Sequence, residues 1–486
     1  MRRFWGLWFI LLWVNLAFPR ILNYPRGQDI VHLDPAAQWN NYTSEVLANV
    51  YEGLVEFKGE RYKVSPLLAE RWEMMEGGRV WRFYLRRGIR FHDGSPFNAD
   101  SVVFTFKRQK GTSFEAKRSL MPFLKDVRKV DDYTVDFELA VPCVLFPYIL
   151  ANPFAYIVKP YKDKFLPIGT GPFKVESWVR GKFVLLKANR FYWRGRPRIE
   201  GVRFYVVRNP YLRVLQLRNG NADVLSRLSR KEYEDLKNDP RIDILKFPVL
   251  DLNYITFNVK KPPFNDIRVR KAITYLINRE RLVRVVFGDL AEPVTLPLPP
   301  SLLDKKDYME VPKYDPEAAR KLLREAGYKN GLKCTLYYLV GSPYGDVANA
   351  LSRSLLEAGV IIKPVALPYK VLTRRVIKGD FEMAIGGWVA DYPEAGNFLY
   401  SIMFPLSPRV TYMSLPQAKE LLLRARGTLD EEKRRELYAQ VVKIILKNYL
   451  TIPLYRSYLL VAYRKGIKGI EINPKGYLIF YKVRVK

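Results

Sequence analysis

The residues best suited to do chemistry lie in Gly387-Trp388-Val389-Ala390-Asp391-Tyr392-Pro393. There the apolar run "FEMAIGGW" ends in an indole, and a carboxylate follows three residues later. An anionic side chain walled by Trp388 and Tyr392 is a receptor for a ligand cation. A charge-assisted hydrogen bond at such a site contributes roughly 1.5–3 kcal/mol. The aromatic wall adds roughly 0.5–2 kcal/mol of cation–π attraction. The same letters also spell a helix start, with Asp391 as N-cap, Pro393 in the first turn and Glu394 as capping-box partner. The two roles are compatible, because a capping carboxylate keeps a second oxygen.

Other reactive residue types carry less. His92-Asp93 in "FHDGSP" has the composition of an acid/base pair, but Asp-Gly between a strand and a helix reads as a turn. Ser342 in "VGSPYG" has no base near it in sequence, so it is a poor nucleophile. "GTG" in "IGTGPF" lacks the Lys-Ser/Thr ending of a phosphate loop and runs through proline into a strand, so turn geometry explains it. His32 and His92 are the only histidines, which leaves no His/Cys metal cluster, and no cofactor is expected. Neither a convergent carboxylate pair nor a nucleophile–base pair is visible, so a peptide or sugar hydrolase is the weaker of the readings that use this cleft chemistry.

The elements that must position Asp391 follow from periodicity. "RVWRFYLRRGIRF" alternates as a half-buried strand, Asn98 caps the helix in "ADSVVFTFKRQ", and "YTVDFELA" is a further strand, so this block reads as a small α+β unit. Glycine-punctuated strands follow, and then a helix opened by the capping box Ser229–Glu232. "IDILKFPVLDLNYITFNV" supplies two strand candidates. Its second half reads either as an apolar core strand or, with one edge on a cleft, as a partner for an extended peptide. Beyond "KKPPFND", helices capped by Asp266, Asn278 and Asp315 alternate with the strands "KCTLYYLV", "IIKPVAL" and "FEMAIGGW". Such alternation implies crossover units in a largely parallel sheet, whose ligands sit beyond the carboxyl ends of the strands. Asp391 is at such an end. Thr428 and Glu431 spell another capping box, and the closing strands "LTIPLYRSYLLVAYR" and "GYLIFYKVRVK" must return to an earlier sheet, making one domain discontinuous.

A chain of 486 residues exceeds one ordinary core, so two or three domains are expected. The first residues, "MRRFWGLWFILLWVNLAF", have the basic start and short apolar run of an export leader without a clear cleavage site, so removal or retention as a tether both stay open. No later segment is apolar and long enough to span a membrane, so behind such a leader the rest is expected to be soluble and exported. Cys143 and Cys334 read as two buried thiols in different domains. The net charge of +32 points either to a polyanion partner or to a solvated Lys/Arg-laced surface. The basic residues are spread along the whole chain, which favours the surface reading and residence near an anionic membrane, with no nucleic acid expected.

Several stretches in order resemble the dipeptide/oligopeptide-binding family of extracellular solute-binding proteins (family 5), which serve ATP-driven importers. They are "VYEGLVEF", "SPLLAERWE", "WRFYLRRGIRFHDGSPFNADSVVFTFKR", "IGTGPFKVESW", "LNYITFNVKKPPFNDIRVRKAITYLINRE", "YDPEAARKLLREAG" and "GWVADYPEAGNFLY". The resemblance implies an α/β, periplasmic-binding-protein-like fold of type II, cluster C: two lobes with an additional small inserted α+β domain. Mapped onto this chain, residues 1–20 are the leader, and 21–50, 166–260 and 457–486 form a discontinuous first lobe. Residues 51–165 are the inserted domain and 261–456 the second lobe, with hinges near Asn258–Pro263 and Ile452–Ser457.

By position in the motifs, Asp391 pairs with a ligand's α-ammonium and Trp388 and Tyr392 shape the cavity. The strand from Tyr254 to Asn258 supplies backbone contacts, while Trp39, Asn40 and Asn41 face the ligand from the first lobe. Dipeptide-binding members carry an arginine for the ligand carboxylate where this chain has Ser342, and a hydroxyl cannot replace a guanidinium fork. The expectation is therefore a monomeric, non-catalytic receptor on the outer side of the membrane. It would hand peptides, longer ones included, or another amine-bearing solute to permease subunits. A sugar, nickel complex or haem is the alternative within the family, and a polyanion is the alternative outside it.

Overall fold

In the strand Val80–Leu85, Trp81, Phe83 and Leu85 are buried while Arg82 and Tyr84 are half-exposed, the period-two burial of a sheet with one wet face. The computed structural model describes residues 20–37, 40–58, 63–109, 124–303, 313–403 and 415–485; residues 1–19 of the expected leader and Trp39 lie outside them. Val80–Leu85 is the second strand of a four-stranded antiparallel sheet with Ala69–Met75, Thr134–Leu139 and Leu124–Asp131. The helix Ala99–Gln109 covers its dry face, and Phe83, Phe106, Phe137 and Phe146 form an edge-on aromatic core beneath it. On the wet face Arg82 and Asp136 stand opposite each other and make two bonds of 2.7 Å.

A second body is built on the helix Asn41–Val50 and a four-stranded sheet ordered Ile21–Arg26, Gly201–Val206, Phe183–Ala188, Phe173–Val179. The glycines of "IGTG" are explained by close packing: a Cβ on Gly169 would come within 2.3 Å of Val50 O, and one on Gly171 within 2.6 Å of the same atom. The C-terminal segment does return here, but among the described residues it adds no strand to that sheet. There Leu478–Ile479 pairs with Glu471–Ile472, and Arg484–Val485 with Ile467–Lys468. The segment is instead pinned to the helix by Asn49, which donates to Leu478 O at 2.8 Å and accepts from Phe480 N at 2.9 Å.

The long strand Thr451–Arg464 joins this body to the rest. Its second half pairs with Ile242–Pro248 and Val224–Ser226, and its first half with Asp251–Phe257 and Ala291–Pro293. Ile242–Pro248 and Asp251–Phe257 are successive strands, so the chain crosses at 248–251 and again at 455–458. The first crossing therefore lies before the expected Asn258–Pro263. Asp251–Phe257, placed by sequence in the first lobe, is laddered into the sheet of the second, where Phe257 and Phe264 stack in the same core. Asp251 locks the crossings together: its Oδ1 accepts from Ser457 N at 3.0 Å and its Oδ2 from Asn253 Nδ2 at 3.0 Å. Burial pushes its carboxyl up to about 6.

The second lobe continues the sheet with Met383–Val389, Leu332–Leu339 and Val360–Leu367, the last two parallel as the alternating pattern predicts. Asp266, Asn278 and Asp315 cap their helices as read from sequence, as does the Ser229–Glu232 box. The helix Glu431–Lys447 is capped by Asp430 rather than by Thr428, whose hydroxyl donates back to Arg424 O at 2.8 Å. Cys143 and Cys334 are free and buried in separate cores. Among the described residues no helix is long and apolar enough to cross a membrane.

Candidate functional site

Met383–Val389 carries the motif to the crossing. Trp388 stands opposite Leu252 and Val389 opposite Asp251, and Ala390 N closes the strand on Leu250 O at 2.8 Å. Gly387 is needed here: a Cβ would fall 2.3 Å from Tyr344 Oη and 2.8 Å from Asn253 Oδ1, which hydrogen-bond each other at 2.9 Å.

The expected cap at Asp391 is not made. The next helix begins at Ala395, Glu394 N donates to Tyr392 O, and the Glu394 carboxylate is taken by Arg434 Nε at 2.8 Å. Burial nevertheless pushes the Glu394 carboxyl above its ordinary value, the Arg434 guanidinium offsetting only part of it. Asn397 organises the turn instead. Its buried Oδ1 accepts from Trp388 Nε1 at 2.7 Å and from Asp391 N at 3.1 Å, fixing indole and carboxylate relative to each other.

The Asp391 carboxylate is engaged by a distant part of the chain. Its Oδ1 accepts from Lys475 Nζ at 2.9 Å, and the same ammonium donates to Asn152 Oδ1 at 3.0 Å. The three groups come from three parts of the chain: Asp391 from the second lobe, Asn152 from the end of the small α+β unit, and Lys475 from the C-terminal turn on the first body. Asn152 is wholly buried, and its Nδ2 is aimed by Tyr148 O at 3.2 Å and Ile149 O at 3.3 Å. Lys475 sits on a turn wound around Asn473, whose Oδ1 accepts from Lys475 N and Tyr477 N at 3.1 and 2.9 Å. Gly476 completes the turn at φ +76°, its carbonyl held by Arg227 Nη2 at 3.3 Å. Side-chain exposure is 11% for Lys475 and 23% for Asp391, so the pair is drawn well out of water. Beside it Tyr392 packs on the core of the small unit, its ring 6.4 Å from that of Tyr148.

Of the residues singled out from sequence, Asp391, Trp388 and Tyr392 meet at this seam. Asn41 reaches it at one remove, accepting from Tyr477 Oη at 3.4 Å, while Asn40 caps the helix Asn41–Val50 through Thr43 N. Tyr254 is half-buried against the helical core of the second lobe, with its ring over Gly386. Asp251–Phe257 is laddered to Met383–Val389 along its length and to Thr451–Arg464 from Asn253 to Thr256, which favours the core-strand reading. Asn258 holds Gly379 O and Phe381 O at 2.9 Å each and is turned into the second lobe. Ser342 Oγ bonds Leu339 O at 2.5 Å at the head of the helix Tyr344–Leu356. Lys475, Asn152 and Asn397 were not anticipated. The only local signal was the Asn-Pro-Lys-Gly turn, which says where the chain bends and not what it reaches.

A sequence model of the bacterial extracellular solute-binding proteins, family 5 Middle, matches residues 63–407. The chain belongs to the family 5 bacterial extracellular solute-binding proteins, with their two-lobed α/β type II periplasmic-binding fold. It is 30% identical over 477 residues to the dipeptide-binding protein of Escherichia coli K12, covering 90% of this chain and 89% of that protein. It is equally 30% identical over 477 residues to heme-binding protein A of Haemophilus influenzae, covering 90% of this chain and 87% of that one. Among solved structures, HbpA2 from Haemophilus parasuis superposes with a TM-score of 0.83 at 30% identity, over 96% of this chain and 100% of that one. These relatives are transport proteins that bind solutes, and the family works with ABC permeases.

Proposed function

We propose that the protein is the solute-binding component of an ABC importer whose solute is a peptide held between the two lobes. Residues 21–248 outside the inserted 51–165, together with 458–485, form the first lobe in this reading, and 251–455 the second. The observation that carries the peptide reading is a strand edge. Met383–Val389 pairs with Leu332–Leu339 only through Met383 and Ala384, so among the described residues that ladder stops short of Ile385, Gly386 and Gly387. An extended backbone can add to such an edge through its main-chain hydrogen bonds. The edge runs directly to Trp388, Asp391 and Tyr392, which we assign to the ligand together with Tyr254, Asn41 and, in the outer turn, Ser342.

The chain is a receptor without catalysis in this reading. It acts as a monomer on the outer side of the membrane, and closure of the lobes about 248–251 and 455–458 presents a surface to the permease. Native mass spectrometry of the purified full chain tests the assignment. Peptide masses released on activation are expected; a haem, a sugar or a metal chelate coming off in their place overturns the peptide reading and leaves the family membership intact.

A further inference from the structure

Asp391 was read from sequence as the group that takes a ligand's ammonium, and in the folded chain an ammonium is already there, supplied by Lys475. We infer that Lys475 is the resident cation of the Asp391 subsite, and that the cleft therefore takes peptides whose end at the seam carries no free amine: N-blocked peptides, or chains running through the seam. This rests on the peptide reading above and concerns the same site.

Three observations carry it. The ammonium is fixed rather than loosely parked: the Asn473 turn sets the backbone, Asn152 is a buried acceptor aimed by two carbonyls, and 89% of the lysine side chain is withdrawn from solvent. With the lobes closed, displacing it would leave a cation drawn out of water without its counter-charge, which is the costly way to break such a pair. The competition is also unequal. A tethered group acts at an effective concentration of roughly millimolar or more, so a peptide ammonium at micromolar concentration enters about a thousandfold behind it.

Finally, the other carboxylates drawn out of water in these parts of the described chain already have partners. Glu394 is paired with Arg434 and Glu45 with Arg26; Asp251 is closed by Ser457 N and Asn253; Glu52 is closed by Thr170, Tyr192 and Trp193. A further ammonium at the seam would meet Lys475 as a like charge.

The full chain is incubated with a random tetrapeptide pool made half with free and half with acetylated N-termini, and the retained peptides are quantified by mass spectrometry. Wild type is expected to retain the acetylated form at least severalfold better than the free amine. Lys475→Met should uncover Asp391 and tilt the ratio at least tenfold toward the free amine, about 1.4 kcal/mol. Adding Asp391→Asn to that variant should return the ratio to near one. A wild type that retains free amines as well as acetylated ends or better, or a ratio that Lys475→Met leaves unchanged, overturns the inference.

A second arm needs no peptide: acetylation of the native chain with acetic anhydride, read lysine by lysine. Lys475 should react at least tenfold more slowly than Lys482, whose side chain is 54% exposed, and should gain reactivity in Asp391→Asn. Equal rates for the two lysines in wild type sink the resident-cation assignment. If no variant retains any peptide, the peptide reading falls, while the acetylation arm still decides the place of Lys475.

Discussion

Glu52 and Asp391 are both carboxylates drawn out of water, and the chain answers them differently. Glu52 is 4% exposed and accepts from Tyr192 Oη at 2.7 Å, Thr170 Oγ1 at 2.8 Å and Trp193 Nε1 at 2.9 Å. Every one of these donors is neutral, and all lie in the one stretch 170–193 of the first body. Burial outweighs them and pushes the Glu52 carboxyl up to about 7. Asp391 receives a single cation carried across the seam from a turn 84 residues further on. Glu52 opens the inserted 51–165 and its donors lie in the first body, so these bonds are lost only when the packing of the small unit on that body is undone. A charge imported across a seam is lost whenever the lobes part, when both ions regain water. The first arrangement is scaffold, and the second couples charge to closure.

Removing each carboxylate should break the comparison if it is wrong. Glu52→Ala strands three buried donors, each costing roughly 1–3 kcal/mol, so the first transition in urea should shift by about 3 kcal/mol or more. Asp391→Ala should move that transition by no more than about 1 kcal/mol, because its partner can be rehydrated by opening of the seam. Equal losses in the two variants would erase the distinction.

Proton linkage sharpens the same contrast. The folded Glu52 carboxyl near 7 stands above its ordinary value of 4.5, so between these pH values the folded chain holds a proton that the unfolded chain has released. Stability from this group is therefore full below pH 4.5 and is lost as pH rises through 7, by about 2–3 kcal/mol. Asp251, raised from 3.8 to about 6, adds a loss of the same sign in a lower window. Glu52→Gln should flatten the decline between pH 5 and 7, read as urea midpoints across that range. A steeper decline in the variant would contradict the assignment.

The scaffold side of this contrast was legible in the sequence and the seam was not, for physical reasons. Alternation in Val80–Leu85 and the caps at Asp266, Asn278 and Asp315 depend on neighbours within four residues, so residue order carries them. Asp391 failed as a cap because Glu394 is claimed by Arg434, forty residues on, a partner that no local pattern encodes. Asp251–Phe257 was ambiguous because an apolar run reads alike at an edge and in a sheet interior. Lys475 was hidden by abundance. With 81 lysines and arginines in the chain, nothing in its type marks it, and only the fold brings it to the acid.

A double-mutant cycle asks whether the seam pair acts as a pair. Asp391→Asn, Lys475→Met and their combination should give a coupling of about 0.5–1 kcal/mol in the unfolding of the ligand-free chain, below the Glu52 effect because the pair remains partly hydrated. A coupling near zero would mean that the two ions meet without depending on each other, and charge would then contribute nothing to closure.

The smallest effect is expected at Trp388→Phe, which isolates the bond that orients the acid. Asn397 Oδ1 accepts from both Trp388 Nε1 and Asp391 N, so losing the indole donor leaves the carbonyl satisfied once. The cost to unfolding should be only about 0.5–1 kcal/mol. The turn, however, would be held by one bond in place of two, and the Asp391 carboxylate would lose its fixed bearing on Lys475. The variant should therefore speed acetylation of Lys475 severalfold while leaving the Glu52 pH profile untouched. Should Trp388→Phe instead lower stability as much as Glu52→Ala, the indole would belong to the scaffold, and the seam would be an extension of the core rather than a place where the lobes meet.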